Sequence, residues 1–161
     1  MIQNIRRSLT DLLGAEYTAA VCRARAALTG ESPEALRAVA DEKVDFYPEA
    51  FARRQEELMG DIGHSLAPAF ADTEDGAPTH SYRAAQHSFA APLGGLGAFR
   101  IGEDGRLYFA GKSEHYQIPL GHDFPGYSLI ENAKRLGIPN ATHNNTRGFI
   151  TRTLDRRLIA A

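Results

Sequence analysis

Tryptophan is absent, cysteine occurs once, as Cys22, and lysine three times, as Lys43, Lys112 and Lys134, against fifteen arginines. A lone cysteine forms no internal disulfide, so the chain reads as a product of the reducing cytoplasm. No run approaches the roughly 18 consecutive apolar residues that a membrane-spanning helix needs. The opening MIQNIRRSLTDLLGAEY carries charges throughout and has no apolar core of a secretory signal. A cytoplasmic location and no membrane partner are therefore expected. A net charge of −2 is not the electrostatic footprint of a nucleic-acid binder, and none is expected as a partner. The 161 residues suffice for one domain-sized core that buries about two-thirds of the unfolded surface.

The near-neutral total hides an asymmetry. Residues 1–30 carry four arginines against two acids, and residues 31–75 four bases against twelve acids. Residues 76–131 are nearly balanced, and residues 132–161 carry six bases against one acid. An acidic middle and a basic end have two readings: attraction within or between molecules, or separate solvated helical faces.

The first 70 residues read as helical. Ile5, Leu9, Leu12, Leu13, Val21, Ala24 and Leu28 recur at helical steps and predict one long helix closed at Thr29-Gly30. Ser32 and Pro33 open a second helix, with Glu34 at its positive end, running to about Val44. Pro48 opens a third, striped by Phe51, Leu58, Ile62 and Leu66 and ended by Pro68, with Gly60 and Gly63 weakening its last turns.

Residues 71–97 are rich in Gly, Pro and small polar residues. They read as a long connection, with a short strand around Ser88–Ala90 and a flexible turn at Pro92–Gly97. That turn matches neither a P-loop nor a dinucleotide fingerprint. The period then changes. Ala98–Ile101 and Leu107–Phe109 flank Gly102-Glu103-Asp104-Gly105, a hairpin pattern, and Tyr116–Leu120 reads as a third strand. A helix follows Pro125, with Leu129, Ile130, Ala133 and Leu136 on one face and Gly137 at its end. A last helix starts near Asn145 or Thr146, with Ile150, Leu154 and Leu158 on one side and Arg152 and Arg156 on another. The fold class expected is α+β: N-terminal helices, a small antiparallel sheet and two C-terminal helices.

The six histidines lie at positions 64, 80, 87, 115, 122 and 143, none within three to five residues of another, so no helical metal pair exists and no metal is expected. No G-x-S-x-G elbow supports acyl transfer. Asn140, Thr142, Asn144, Asn145 and Thr146 precede a helix start and suit capping, while the same terminus with Arg147 suits an anion. Gly121-His122-Asp123-Phe124-Pro125 is a sharp turn in which His122 reads either as a ligand-contacting group or as a satisfied structural imidazole.

Taken together, three motifs resemble the N-terminal segment of class III pyridoxal-phosphate-dependent aminotransferases, over residues 99–160. The hairpin Gly102-Glu103-Asp104-Gly105-Arg106-Leu107-Tyr108-Phe109 is similar to that family's D-x-D-G-x-x-Y opening, although Ala110 stands where an acid is usual. Leu120-Gly121-His122-Asp123-Phe124-Pro125 resembles its L-G-H-x-x-P turn, and Thr142-His143-Asn144-Asn145-Thr146-Arg147-Gly148 its following loop. The resemblance implies amino-group transfer on pyridoxal phosphate, within a larger aminotransferase-like fold and a homodimer. It implies a substrate and cofactor pocket at Tyr116, Gln117, His122, His143, Asn144, Asn145 and Arg147, with no catalytic residue in this chain. The family's Schiff-base lysine lies far downstream, and the chain ends at Ala161 before reaching it. Lys43 falls on an acidic helix, Lys134 on a solvent face and Lys112 after a strand. The expectation is a fragment that is inactive alone, does not bind the cofactor covalently, and has as partner the rest of the enzyme or a second subunit. The alternative is a self-contained, non-enzymatic binding or interaction module.

Overall fold

The computed structural model describes residues 3–70, 80, 90–110, 120–138 and 148–160. Its elements, in chain order, are β1 (Arg6–Arg7), α1 (Leu9–Leu13), α2 (Ala15–Thr29), α3 (Pro33–Asp41), β2 (Val44–Asp45), α4 (Glu49–Met59), β3 (Pro92–Leu96), β4 (Phe99–Gly102) and β5 (Leu107–Phe109). A 3-10 turn at Pro125–Tyr127 leads into α5 (Ser128–Arg135), and α6 is Phe149–Ala160. The chain is α+β, with helices and, among the described residues, two small antiparallel sheets, β1-β2 and β3-β4-β5. Among the described residues, no helix is long and apolar enough to cross a membrane.

Two compact units form, one from Ile5–Phe46 with Gly126–Ala161, the other from Met1–Asn4 with Tyr47–Pro125. The first is helical. Its core gathers Leu9, Cys22, Leu36, Ala40, Val44, Leu129 and Leu136 from α1, α2, α3, β2, α5 and the residue that closes α5. Burying each leucine contributes about 1.5–3 kcal/mol. Burial also pushes the Cys22 thiol above its ordinary value, as expected of a packing residue.

The single N-terminal helix expected from periodicity is two helices. Gly14, at φ +89, closes α1 and opens α2, a backbone conformation that side chains resist. Ser8 caps α1 in a reciprocal capping box. Its Oγ accepts the Asp11 N–H at 3.1 Å, and its own N–H donates to Asp11 Oδ2 at 2.8 Å. Asp11 Oδ2 also accepts from Lys43 Nζ, and Lys43 is thereby committed to an ion pair.

The α3 helix starts at Pro33 under a Ser32 cap, as expected, but stops at Asp41. Val44 is then free to extend and pair with Arg7, while its side chain still enters the core. Leu129 on α5 and Leu136, which closes it, are buried, but Ile130 is half exposed and leaves the expected face. The α6 stripe Ile150, Leu154 and Leu158 is exposed. This helix is held instead by Phe149, stacked on Tyr17 with centroids 4.3 Å apart, and by Arg157, which donates to the Leu12 carbonyl.

The second unit packs α4 on the three-stranded sheet, with Leu58, Phe99 and Leu107 buried and Leu96 and Ile101 against them. The third helix was expected to reach Leu66 but ends at Met59, where Gly60 and Gly63 follow. The chain then runs along the hairpin. Gly63 N–H donates to the Leu107 carbonyl, Leu107 N–H to the His64 carbonyl, and Leu66 N–H to the Gly105 carbonyl. Backbone pairing replaces the helical bonds that glycine makes weak.

Candidate functional site

The hairpin expected from Gly102–Gly105 forms as the β4–β5 pair, with Phe99 opposite Phe109 and Ile101 opposite Leu107. Asp104 organises its turn. Oδ1 accepts the Arg106 N–H at 3.0 Å, and Oδ2 accepts the Tyr108 hydroxyl at 2.7 Å. Partial burial raises the Asp104 carboxyl, but the Arg106 N–H and the Tyr108 hydroxyl outweigh it and hold the group below its ordinary value. Accepted by that carboxylate, the Tyr108 hydroxyl is pushed up in turn.

The segment read as a flexible turn at Pro92–Gly97 is strand β3, paired antiparallel with β4 from Pro92 opposite Gly102 to Leu96 opposite Phe99. Glycine is depleted in strands, which is why composition pointed the other way. The tertiary reason for glycine is a close approach. A Cβ on Gly95 would stand 2.3 Å from the His122 ring.

That ring arrives by a stitched turn. Gly97 N–H donates to the His122 carbonyl at 2.6 Å, and His122 N–H donates to the Gly97 carbonyl at 2.8 Å. Gly121 sits at φ +91, and a Cβ there would come 2.6 Å from the Gly97 carbonyl oxygen, so no larger residue fits. Asp123 follows at φ 50, a left-handed conformation that a short polar side chain tolerates. The Gly-His turn is thereby fixed to the turn between β3 and β4. His122 is half buried and its ring lies against Gly95.

Of the seven expected pocket residues, His122 is placed in this way. Tyr116, Gln117, His143, Asn144, Asn145 and Arg147 lie outside the described residues, as do the strands expected at Ser88–Ala90 and Tyr116–Leu120, save their last residues. The last helix was expected from Asn145 or Thr146, also outside them, and its described part begins at Phe149. Among the described residues no group of three His, Cys, Asp or Glu side chains gathers to hold a metal ion.

Sequence reasoning missed Gln55. It is buried on α4, where its Oε1 accepts the Ala98 N–H at 3.1 Å and its Nε2 donates to the Tyr47 hydroxyl at 3.0 Å. The signal was present. Gln55 lies four residues after Phe51 and three before Leu58, on the apolar stripe of its helix. A polar residue on such a stripe is buried with partners or is out of place.

No protein-family model, curated protein or solved structure matches this chain.

Proposed function

We propose that this chain is the N-terminal segment of a class III pyridoxal-phosphate-dependent aminotransferase, acting with the rest of that enzyme or a second subunit in a cytoplasmic homodimer. The supporting observation is the union of two of the three motifs behind the resemblance. The Asp104 hairpin closes a three-stranded sheet, and the Gly121-His122 turn is hydrogen-bonded to the same sheet at Gly97. The motifs lie about 15 residues apart in sequence, yet reciprocal backbone bonds join them. In this reading His122 lines the pocket from the sheet side, and Tyr116, Gln117, His143, Asn144, Asn145 and Arg147 complete it.

The cofactor supplies an electron sink when bound, and a lysine amine must hold it. The described lysines do not fit that task. Lys43 is paired with Asp11, and Lys134 with Glu131 at 2.7 Å, each on an exposed surface. Lys112 lies outside the described residues. In this reading no step is assigned to this chain, and transaminase activity is expected only where a further domain supplies the lysine.

The deciding experiment reads the gene beyond codon 161 and assays its whole product with pyridoxal phosphate. An open frame continuing into a lysine-bearing α/β domain with transaminase activity is expected. A stop codon at that point, with sharp two-state unfolding of the chain alone, would support the self-contained binding module instead. A stoichiometric, borohydride-trapped lysine adduct on residues 1–161 would overturn the assignment of no covalent cofactor binding.

A further inference from the structure

We propose that the cavity between α4 and the β4–β5 hairpin is a binding site for a small organic ammonium group. The cavity has a volume of about 220 Å³. Its walls are aromatic and apolar, from Tyr47, Phe99, Phe109 and Met59, and Gln55 and Glu56 supply its polar groups. Phe99 and Phe109 meet edge to face, with centroids 5.7 Å apart and planes inclined by 69°. Tyr47 is held on two sides. Its hydroxyl accepts from Gln55, and its ring meets Phe51 edge to face at 5.2 Å. Tyr47 is therefore preorganised by a buried amide that is itself anchored to the Ala98 backbone.

The charge at this cavity selects a cation. Three acids of α4 differ in their bonding. Glu49 is paired with Arg53 at 2.6 Å and Glu57 with Arg54 at 2.9 Å. Glu56 lines the cavity, and among the described residues no hydrogen bond or ion pair engages it. A carboxylate without a cationic partner beside the half-exposed Phe109 ring and the partly exposed Tyr47 ring, over a floor formed by the buried Phe99, is the chemistry that recognises an alkylated ammonium. Ring faces attract the diffuse positive charge, and the carboxylate supplies the long-range attraction. An anion or a neutral polar ligand gains from neither. The volume suits a compact head such as trimethylammonium rather than a drug-sized ligand. This inference does not rest on the aminotransferase reading.

The test titrates the intact 161-residue chain with choline and with its neutral isostere 3,3-dimethylbutan-1-ol, at constant ionic strength. Binding is followed by calorimetry and by the aromatic proton resonances. Choline is expected to bind at one saturable site, with shifts confined to Tyr47, Phe99 and Phe109, and the isostere at least about fivefold more weakly. Glu56→Gln should weaken choline by about three- to fivefold and leave the isostere unchanged. Phe109→Leu, at a half-exposed position, should weaken choline by about two- to fivefold. Equal affinity for choline and the isostere, or no saturable choline binding by the folded wild-type chain, would overturn the proposal without recourse to any variant.

Discussion

Gly95 lies directly against the imidazole of His122, so close that a β-carbon on the glycine would stand 2.3 Å from the ring. Such a contact makes the two positions interdependent. Gly95→Ala should destabilise the chain by about 1–3 kcal/mol, because the ring must leave its seat. In a His122→Ala background the same change should cost much less. Chemical denaturation of the four proteins of this cycle gives the coupling directly. Additive effects would show that the ring moves aside freely and does not pin the turn.

Gln55 satisfies two groups at once, the Ala98 N–H and the Tyr47 hydroxyl. Gln55→Leu keeps the volume and removes both partners, leaving the Ala98 donor without its acceptor. A loss of about 1–3 kcal/mol is expected. Tyr47→Phe removes only one bond and should cost about 0.5–1.5 kcal/mol. Urea midpoints measured at equal slope check both, and a Gln55→Leu variant as stable as wild type would refute the structural role of the amide.

Asp11 is held at about 2, against an ordinary 3.8, first by the hydrogen bond from the Lys43 ammonium and then by the Ser8 N–H. A carboxyl lowered in the folded state stabilises that state fully above the unfolded value. The contribution fades as pH falls from about 4 toward 2, because there the unfolded chain takes up the proton more readily. Asp11→Asn should therefore melt below wild type at pH 6, and the gap should narrow steadily between pH 4 and pH 2. Asp41 and Glu34, also held low by a Thr10 and a Ser32 hydroxyl, titrate in both proteins, so the difference isolates Asp11. A gap that stays constant with pH would sink this account.

Local chemistry was readable wherever one residue decides the outcome with its immediate neighbours. Ser32-Pro33 opens α3, Gly30 closes α2, and Asp104-Gly105 turns the hairpin, each through a bond or a dihedral set within four residues. The α+β class follows from the same signals. Two of the failures share one cause. Val44 was the expected end of the second helix, and Ile62 and Leu66 fit the stripe of the third, yet Val44 pairs with Arg7, and the chain around Leu66 pairs with Gly105. Periodicity registers apolar spacing and is blind to a distant backbone that offers better hydrogen bonds.

The site divides in the same way. Gly121-His122 was recognisable as a turn, but nothing local says that its backbone bonds Gly97 or that its ring needs Gly95 bare. The Gly94-Gly95 pair looked like a flexible turn because glycine is poor in strands, and it became a strand because another residue occupies the space a side chain would fill. Likewise the unneutralised Glu56 among its aromatic neighbours depends on residues 47, 56, 99 and 109 being brought together.

The sequence by itself determined the helix caps, the hairpin turn, the single cysteine, the shortage of lysine and the opposed charges of its middle and end, because each is a property of composition or of a few consecutive residues. Only the tertiary structure decided that Leu36 and Leu136 share one core, that the polar Gln55 is buried with both ends of its amide bonded, and that a half-buried histidine rests on a glycine. Those outcomes depend on which distant surfaces exclude water and which distant donors find acceptors, and neither is encoded in the spacing along a single segment.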